Sequence, residues 1–68
     1  MIVHVNGQPF EIEPGTTVAR VVEELRPGGG RRGIAVAIDA EVVPRGQWDD
    51  RVLDAEARLE VVNAIQGG

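Results

Sequence analysis

Side chains that commonly act as nucleophiles or metal ligands are scarce in this sequence. Its 68 residues include no cysteine, serine, lysine or tyrosine, and the single histidine is His4. Serine–histidine–aspartate chemistry, cysteine-ligated zinc and iron–sulfur clusters are therefore excluded, and no metal site with several histidines can form. Asp49 and Asp50 are adjacent carboxylates, a pattern more typical of a solvated surface than of a catalytic dyad. The remaining candidate for chemistry is the chain end, Gly67-Gly68.

The Gly-Gly end follows directly on a predicted strand. Glycine lets the backbone approach a partner closely and adopt any φ. The four residues 65–68 reach roughly 13 Å when they are extended. A carboxyl group on such an arm can enter a partner's narrow active site and be activated there. We expect Gln66, Gly67 and Gly68 to form a flexible tail, carried by a single domain of residues 1–65.

The composition narrows the class of protein further. A chain of this length makes one small domain, which has little room for a deep cleft beside its core. The net charge is −4, and all seven basic residues are arginine. This negative net charge disfavours a nucleic-acid-binding protein, because binding of phosphates needs a basic patch. We expect a cytoplasmic protein, because no apolar run reaches the roughly 20 residues that span a membrane and the first residues lack a signal peptide's basic start.

The apolar pattern predicts a hairpin followed by a helix. Val3 and Val5 precede Asn6-Gly7, which suits a type I′ turn, and apolar residues resume the period-2 pattern at Phe10 and Ile12. Thr16 or Thr17 can cap a helix over about residues 18–26. Its apolar stripe has the i, i+3, i+4, i+7 spacing of a helix packed on a core: Val18, Val21, Val22 and Leu25.

Further extended segments follow a glycine-rich loop at residues 27–33. Ile34, Val36 and Ile38 alternate with alanines in a third strand, and Glu41-Val42-Val43 forms a short fourth one. Residues 44–50 are expected to include a helical turn that holds Trp48, and residues 59–65 to form the last strand. We therefore predict an α+β fold in which one mixed sheet carries one main helix. The first and last strands could pair in parallel at its centre, as in the β-grasp or ubiquitin-like arrangement.

A docking surface is predicted next to the tail. Val62 and Ala64 fall on the side of the last strand opposite Leu59, Val61 and Ile65. If the latter set faces the helix, then Val62, Ala64, Ala35 and Ala37 form a candidate patch for a partner. Trp48 is assigned mainly to structure, Arg45 equally to structure or to partner contact, and His4 to the strand surface.

The sequence resembles the ThiS family of sulfur carriers over essentially its whole length. The most discriminating segment is Val42-Val43-Pro44-Arg45 with Trp48. The other matching segments are residues 1–7, Thr17-Val18 with Leu25, residues 34–38, and the ending Ile65-Gln66-Gly67-Gly68. Two features depart from the family pattern. The loop at residues 28–33 is unusually basic and glycine-rich, and the position of Gln66 often holds a small residue.

The resemblance implies a carrier rather than an enzyme, with no permanently bound cofactor. An E1-like, ThiF-like adenylyltransferase would use ATP to convert the Gly68 carboxylate to an acyl-adenylate. Sulfur from a persulfide-bearing protein would displace AMP and leave a thiocarboxylate at Gly68. A ThiG-like thiazole synthase would then take that sulfur for the thiazole ring of thiamine. No catalytic residue, metal, nucleic acid or membrane is implied.

Three alternatives remain at this point. A molybdopterin-synthase small subunit would use the same tail chemistry, although the segment at residues 42–48 points away from it. A ubiquitin-like modifier would join its tail to lysines of a target. A nucleic-acid-binding β-grasp module is disfavoured by the net charge and by the presence of only one Phe and one Trp for base stacking.

Overall fold

A five-stranded sheet with one α-helix packed on it forms the fold of residues 1–63, the part of the chain that the computed structural model describes. The α-helix, α1, spans Val18–Leu25 and a short 3-10 helix, η1, spans Arg45–Gln47. The strands are β1 (Ile2–Val5), β2 (Gln8–Glu11), β3 (Ile34–Ile38), β4 (Glu41–Val43) and β5 (Arg58–Asn63).

The first and last strands lie side by side at the centre of the sheet. The strand order is β2-β1-β5-β3-β4, with β1 and β5 parallel and the other neighbours antiparallel. His4 lies opposite Arg58 and Val5 opposite Leu59 in the parallel pair. This mixed sheet with one helix is the β-grasp arrangement, and the predicted fold class is confirmed.

The β1–β2 hairpin forms where Asn-Gly predicted it. Asn6 has φ 52° and Gly7 has φ 83°, so both central turn residues adopt the positive φ that a type I′ turn requires. The second strand begins at Gln8 and includes Pro9, which an edge strand tolerates because one side of its backbone needs no hydrogen bond.

Helix α1 begins at a threonine cap, as predicted. The Thr17 hydroxyl accepts a 3.3 Å hydrogen bond from the Arg20 backbone N–H. The predicted apolar stripe is buried at Val18, Val21 and Val22. The prediction for Leu25 is wrong, because this last helical residue lies at the end of the packed stripe and remains 38% exposed.

The core lies between α1 and the inner face of the sheet. Trp48, predicted to be structural, is 1% exposed, and its indole Nε1 donates a 2.9 Å hydrogen bond to the Val43 carbonyl. That bond satisfies the buried N–H and ties the segment after η1 to β4. The other buried apolar residues are Val3, Val5, Ile12, Val18, Val21, Val22, Ile34, Val36, Ile38, Val43, Leu53, Ala57 and Leu59.

The last strand starts one residue earlier than predicted. Arg58 is held by Asp39 in the β3–β4 turn, whose backbone N–H donates to the Arg58 carbonyl at 2.8 Å. The Asp39 carboxylate also accepts a 3.1 Å bond from the Arg58 N–H. The predicted end of this strand at Ile65, and the predicted boundary between a domain of residues 1–65 and a tail of residues 66–68, lie outside the described residues.

Candidate functional site

Strand β5 is the element that leads to the candidate site. It lies between β1 and β3, and its side chains alternate between the two faces of the sheet. Leu59 is buried and Val61 is partly buried against the core, whereas Val62 is 52% exposed. The predicted alternation of these three residues is therefore confirmed, and the strand that precedes the chain end lies in the middle of the sheet.

An apolar patch covers the face of the sheet opposite α1. Val62 lies opposite Ala35, and Ala37 lies opposite Val42 on β4. Both alanines are partly buried, and Val42 is 71% exposed. We call Val62, Ala35, Ala37 and Val42 the open-face patch; it extends from β5 across β3 to β4.

Val42 was missing from the predicted patch. Sequence alone does not distinguish the two adjacent valines of β4. The structure buries Val43 in the core, so its strand neighbour Val42 points to the opposite face. The predicted patch residue Ala64 lies outside the described residues. Tail residues Gln66, Gly67 and Gly68 also lie outside them.

Charged side chains border the patch. Glu60 lies within β5 on the same face, opposite Ala37. Further along this face, the partly buried His4 contacts Glu56, with 2.9 Å between Nε2 and Oε1. The open face therefore combines a central apolar strip with a polar margin, an arrangement that suits reversible protein contact.

A second cluster ties the glycine-rich loop to the segment after η1. The Arg31 guanidinium makes two hydrogen bonds to the Asp49 carboxylate, of 2.7 and 3.2 Å. Its central carbon lies 5.8 Å from the centroid of the Trp48 ring. The hydrogen bond from Arg31 is the main cause that lowers the pKa of Asp49. The Asp49 carboxylate thus serves structure, since it ties the glycine-rich loop to the segment after η1.

The described residues offer no catalytic constellation. Within residues 1–63, no group of three or more His, Asp and Glu side chains is arranged to hold a metal ion. A groove of about 600 Å³ lies between α1 and the glycine-rich loop, lined in part by Arg20, Arg26 and Arg31. Two of these arginines are already paired, with Glu24 and Asp49.

The sheet face is also poorly suited to nucleic acid. In the described part of the chain, Trp48 is buried and Phe10 is partly buried against the core, so neither presents a ring for base stacking. No helix within residues 1–63 has the length and apolarity needed to cross a membrane.

Comparisons with known proteins identify the family and support the fold. A model of the ThiS family matches residues 3–68. The chain is 30% identical over 63 residues to the sulfur carrier protein ThiS of Escherichia coli, covering 93% of this chain and 92% of that protein. It is also 37% identical over 68 residues to a thiazole synthase of Magnetococcus marinus, of which it spans only 20%.

Solved structures of a thiamine biosynthesis protein (ThiS) from Geobacter metallireducens share the fold. The crystal structure has a TM-score of 0.84 at 21% identity and covers 100% of both chains. The solution structure has a TM-score of 0.73 at 21% identity and covers 100% of this chain and 88% of that one. At this identity the likeness shows the fold alone.

Proposed function

The chain belongs to the ThiS family, and we propose that it carries sulfur on the carboxyl group of Gly68 for thiazole formation in thiamine biosynthesis. The observation that carries this proposal is the family match, which extends through both terminal glycines to residue 68. The β-grasp fold supports it, because the last strand, which precedes the tail, lies at the centre of the sheet and pairs with a strand on each side.

The proposed chemistry begins with activation of a poor acyl donor. The Gly68 carboxylate attacks the α-phosphate of ATP in a ThiF-like adenylyltransferase, pyrophosphate leaves, and an acyl-adenylate forms. The terminal sulfur of a persulfide-bearing protein then attacks the acyl carbon and AMP leaves. A thiol cleaves the resulting sulfur–sulfur bond, and Gly68 retains a thiocarboxylate. Because ATP and thiols are supplied there, we place the carrier in the cytoplasm.

The composition of the chain suits an activated carboxyl group. It contains no lysine and no cysteine, so it has no side-chain amine or thiol that could capture its own acyl-adenylate. The protein's part is to be recognised and to present Gly68, with Gln66 and Gly67 as the arm. The catalytic groups and the ATP site belong to the partner enzymes.

We assign recognition to the open-face patch and, on the sequence prediction alone, to Ala64. Val62 and Val42 leave much of their apolar surface in contact with water. Burying that surface against a partner is favourable and would seat the base of the tail at the partner's active site. The same face would serve the adenylyltransferase and the thiazole synthase in turn, because both must bind the same tail.

The comparison with Magnetococcus marinus supports a thiazole synthase as one partner. A region similar to the whole of this chain is present in a protein named thiazole synthase there, joined to a much longer sequence. Joining a carrier to the enzyme that uses it would raise the effective concentration of the tail at that enzyme.

Intact mass of the protein purified from its native host tests this function. The proposal predicts a species in which one oxygen has been replaced by sulfur, with the change located at Gly68 by fragmentation. Treatment with iodoacetamide should alkylate that species only, since the chain has no cysteine. Adducts to lysines of other proteins, with no sulfur-bearing species, would identify a protein modifier instead.

A further inference from the structure

Within residues 1–63, the last part of strand β5 has no neighbouring strand on the β1 side. On the β1 side, the ladder runs through Val5, opposite Leu59, and through the Asn6 backbone N–H, which donates to the Leu59 carbonyl at 2.9 Å. The chain then turns away at Asn6-Gly7 into β2. On the other side, β3 accompanies β5 as far as Asn63, which lies opposite Ile34.

The side chain of Asn6 occupies the next position of this parallel ladder. Its Nδ2 donates a 3.1 Å hydrogen bond to the Val61 carbonyl, and its Oδ1 accepts a 2.9 Å bond from the Val61 N–H. A carboxamide carries the same donor and acceptor as a peptide group, so it can pair with both backbone groups of one residue. Asparagine also tolerates the left-handed φ of 52° that the turn imposes.

We propose that Asn6 is a positioning residue for the carrier reaction. Its side chain fixes the direction of β5 at Val61 and thereby positions the tail that follows. Val61 precedes Gly68 by seven residues. A small change in strand direction at that point moves the base of the tail relative to the open-face patch, and displacements near 1 Å can already slow a reaction about a hundredfold. This inference rests on the proposed function of Gly68.

A second side chain provides a control that separates an effect on the position of the tail from an effect on the stability of the protein. Asp39 has φ 50° in the β3–β4 turn, and its Oδ1 accepts a 3.1 Å bond from the Arg58 N–H. Asn6 and Asp39 therefore occupy similar left-handed turn positions and both bind the backbone of β5. Asp39 acts where the strand begins, whereas Asn6 acts near the end from which the tail leaves.

The test compares Asn6→Gly with Asp39→Gly as substrates of the cognate adenylyltransferase in ATP–pyrophosphate exchange. Glycine keeps each turn conformation accessible and removes only the side-chain bonds. For Asn6→Gly we expect kcat to fall about tenfold with KM little changed, because the docking patch is intact. Hydrogen exchange at the Val61 amide should accelerate in the same variant. Asp39→Gly should keep the wild-type kcat at a comparable loss of melting temperature.

Asn6→Asp gives a second measurement if Asn6→Gly fails to fold. Its carboxylate can still accept from the Val61 N–H but cannot donate to the Val61 carbonyl, so kcat should lie between those of wild type and Asn6→Gly. Wild-type kcat in a folded Asn6→Gly or Asn6→Asp would overturn the inference and leave the carrier function standing. A wild-type chain that supports no exchange at all would instead contradict the proposed function.

Discussion

Val62 on β5 lies directly opposite Ala35 on β3, on the face of the sheet that α1 leaves uncovered. The alanine is too small to shield its neighbour, so Val62 remains 52% exposed. The pairing places an accessible apolar side chain on the strand that leads to the tail. Contact with a partner through this residue would therefore fix the position of the strand end as well as the domain.

Val62→Arg is expected to weaken docking while leaving the fold intact. The long charged side chain has room on the open face, but an apolar partner surface would have to bury its charge. Affinity for the adenylyltransferase or the thiazole synthase should fall about tenfold or more, as expected for loss of a central interface contact. Isothermal titration or surface plasmon resonance with each partner measures the change.

Val52→Arg is the matched control for that experiment. Val52 is 50% exposed, close to the value for Val62, but it bridges to Thr17 beside α1 and is not part of the sheet. The same substitution there should leave both affinities unchanged. Equal losses of affinity for the two variants would indicate a general effect of added charge. Unchanged affinities for Val62→Arg would refute the docking role of the patch but not the proposed chemistry of the tail.

The Arg31–Asp49 pair predicts a small stability difference that depends on pH. The hydrogen bond from Arg31 lowers the pKa of Asp49 in the folded protein. A lowered carboxyl pKa contributes stability above the unfolded value of about 4, and that contribution is lost as the pH falls through the folded value. Asp49→Asn should therefore melt slightly below wild type at pH 7, and the difference should disappear in acid as the pH falls through the lowered pKa of Asp49.

Asp50→Asn provides the comparison for this pair. The Asp50 carboxylate belongs to none of the three ion pairs found within residues 1–63. The melting temperature of Asp50→Asn should equal that of wild type both at pH 7 and in acid. A difference for Asp49→Asn that persists unchanged in acid would show that the pair does not hold the glycine-rich loop through its charge.

Local sequence signals were sufficient for most of the fold. Asn6-Gly7 demands positive φ at two successive positions, so it fixed the hairpin, and a threonine before an apolar stripe fixed the start of α1. Alternation at residues 34–38 identified β3, since large residues face the core and alanines face outward. Each of these signals involves residues that are close together in the chain, so the sequence alone predicts the structure that they form.

The features that were missed depend on residues distant in sequence. The Asn6 side chain pairs with Val61, which is 55 residues away in the sequence, and no local pattern predicts this contact. Arg31 and Asp49 are 18 apart, and their contact depends on how the glycine-rich loop folds back toward Trp48. The exposure of Leu25 likewise reflects where the packed part of α1 ends, which periodicity alone does not define.

The central claim is that the carboxyl group of Gly68 is the group that is activated. Deleting Gly68, or adding one alanine after it, moves the reacting carboxylate by one residue, about 3.5 Å. That exceeds the displacement of about 1 Å that can slow a reaction a hundredfold. The control is Gln66→Ala, which changes a tail side chain but keeps the length and both glycines, and should retain exchange.

The most direct measurement is ATP–pyrophosphate exchange with the cognate adenylyltransferase, run beside a thermal melt of each variant. We predict that the Gly68 deletion reduces exchange at least a hundredfold while its melting temperature stays within a degree or so of wild type, in line with the effect of such a displacement on a positioned reaction. Normal exchange by the deletion variant, at an unchanged melting temperature, would contradict the assignment of the carrier function to Gly68.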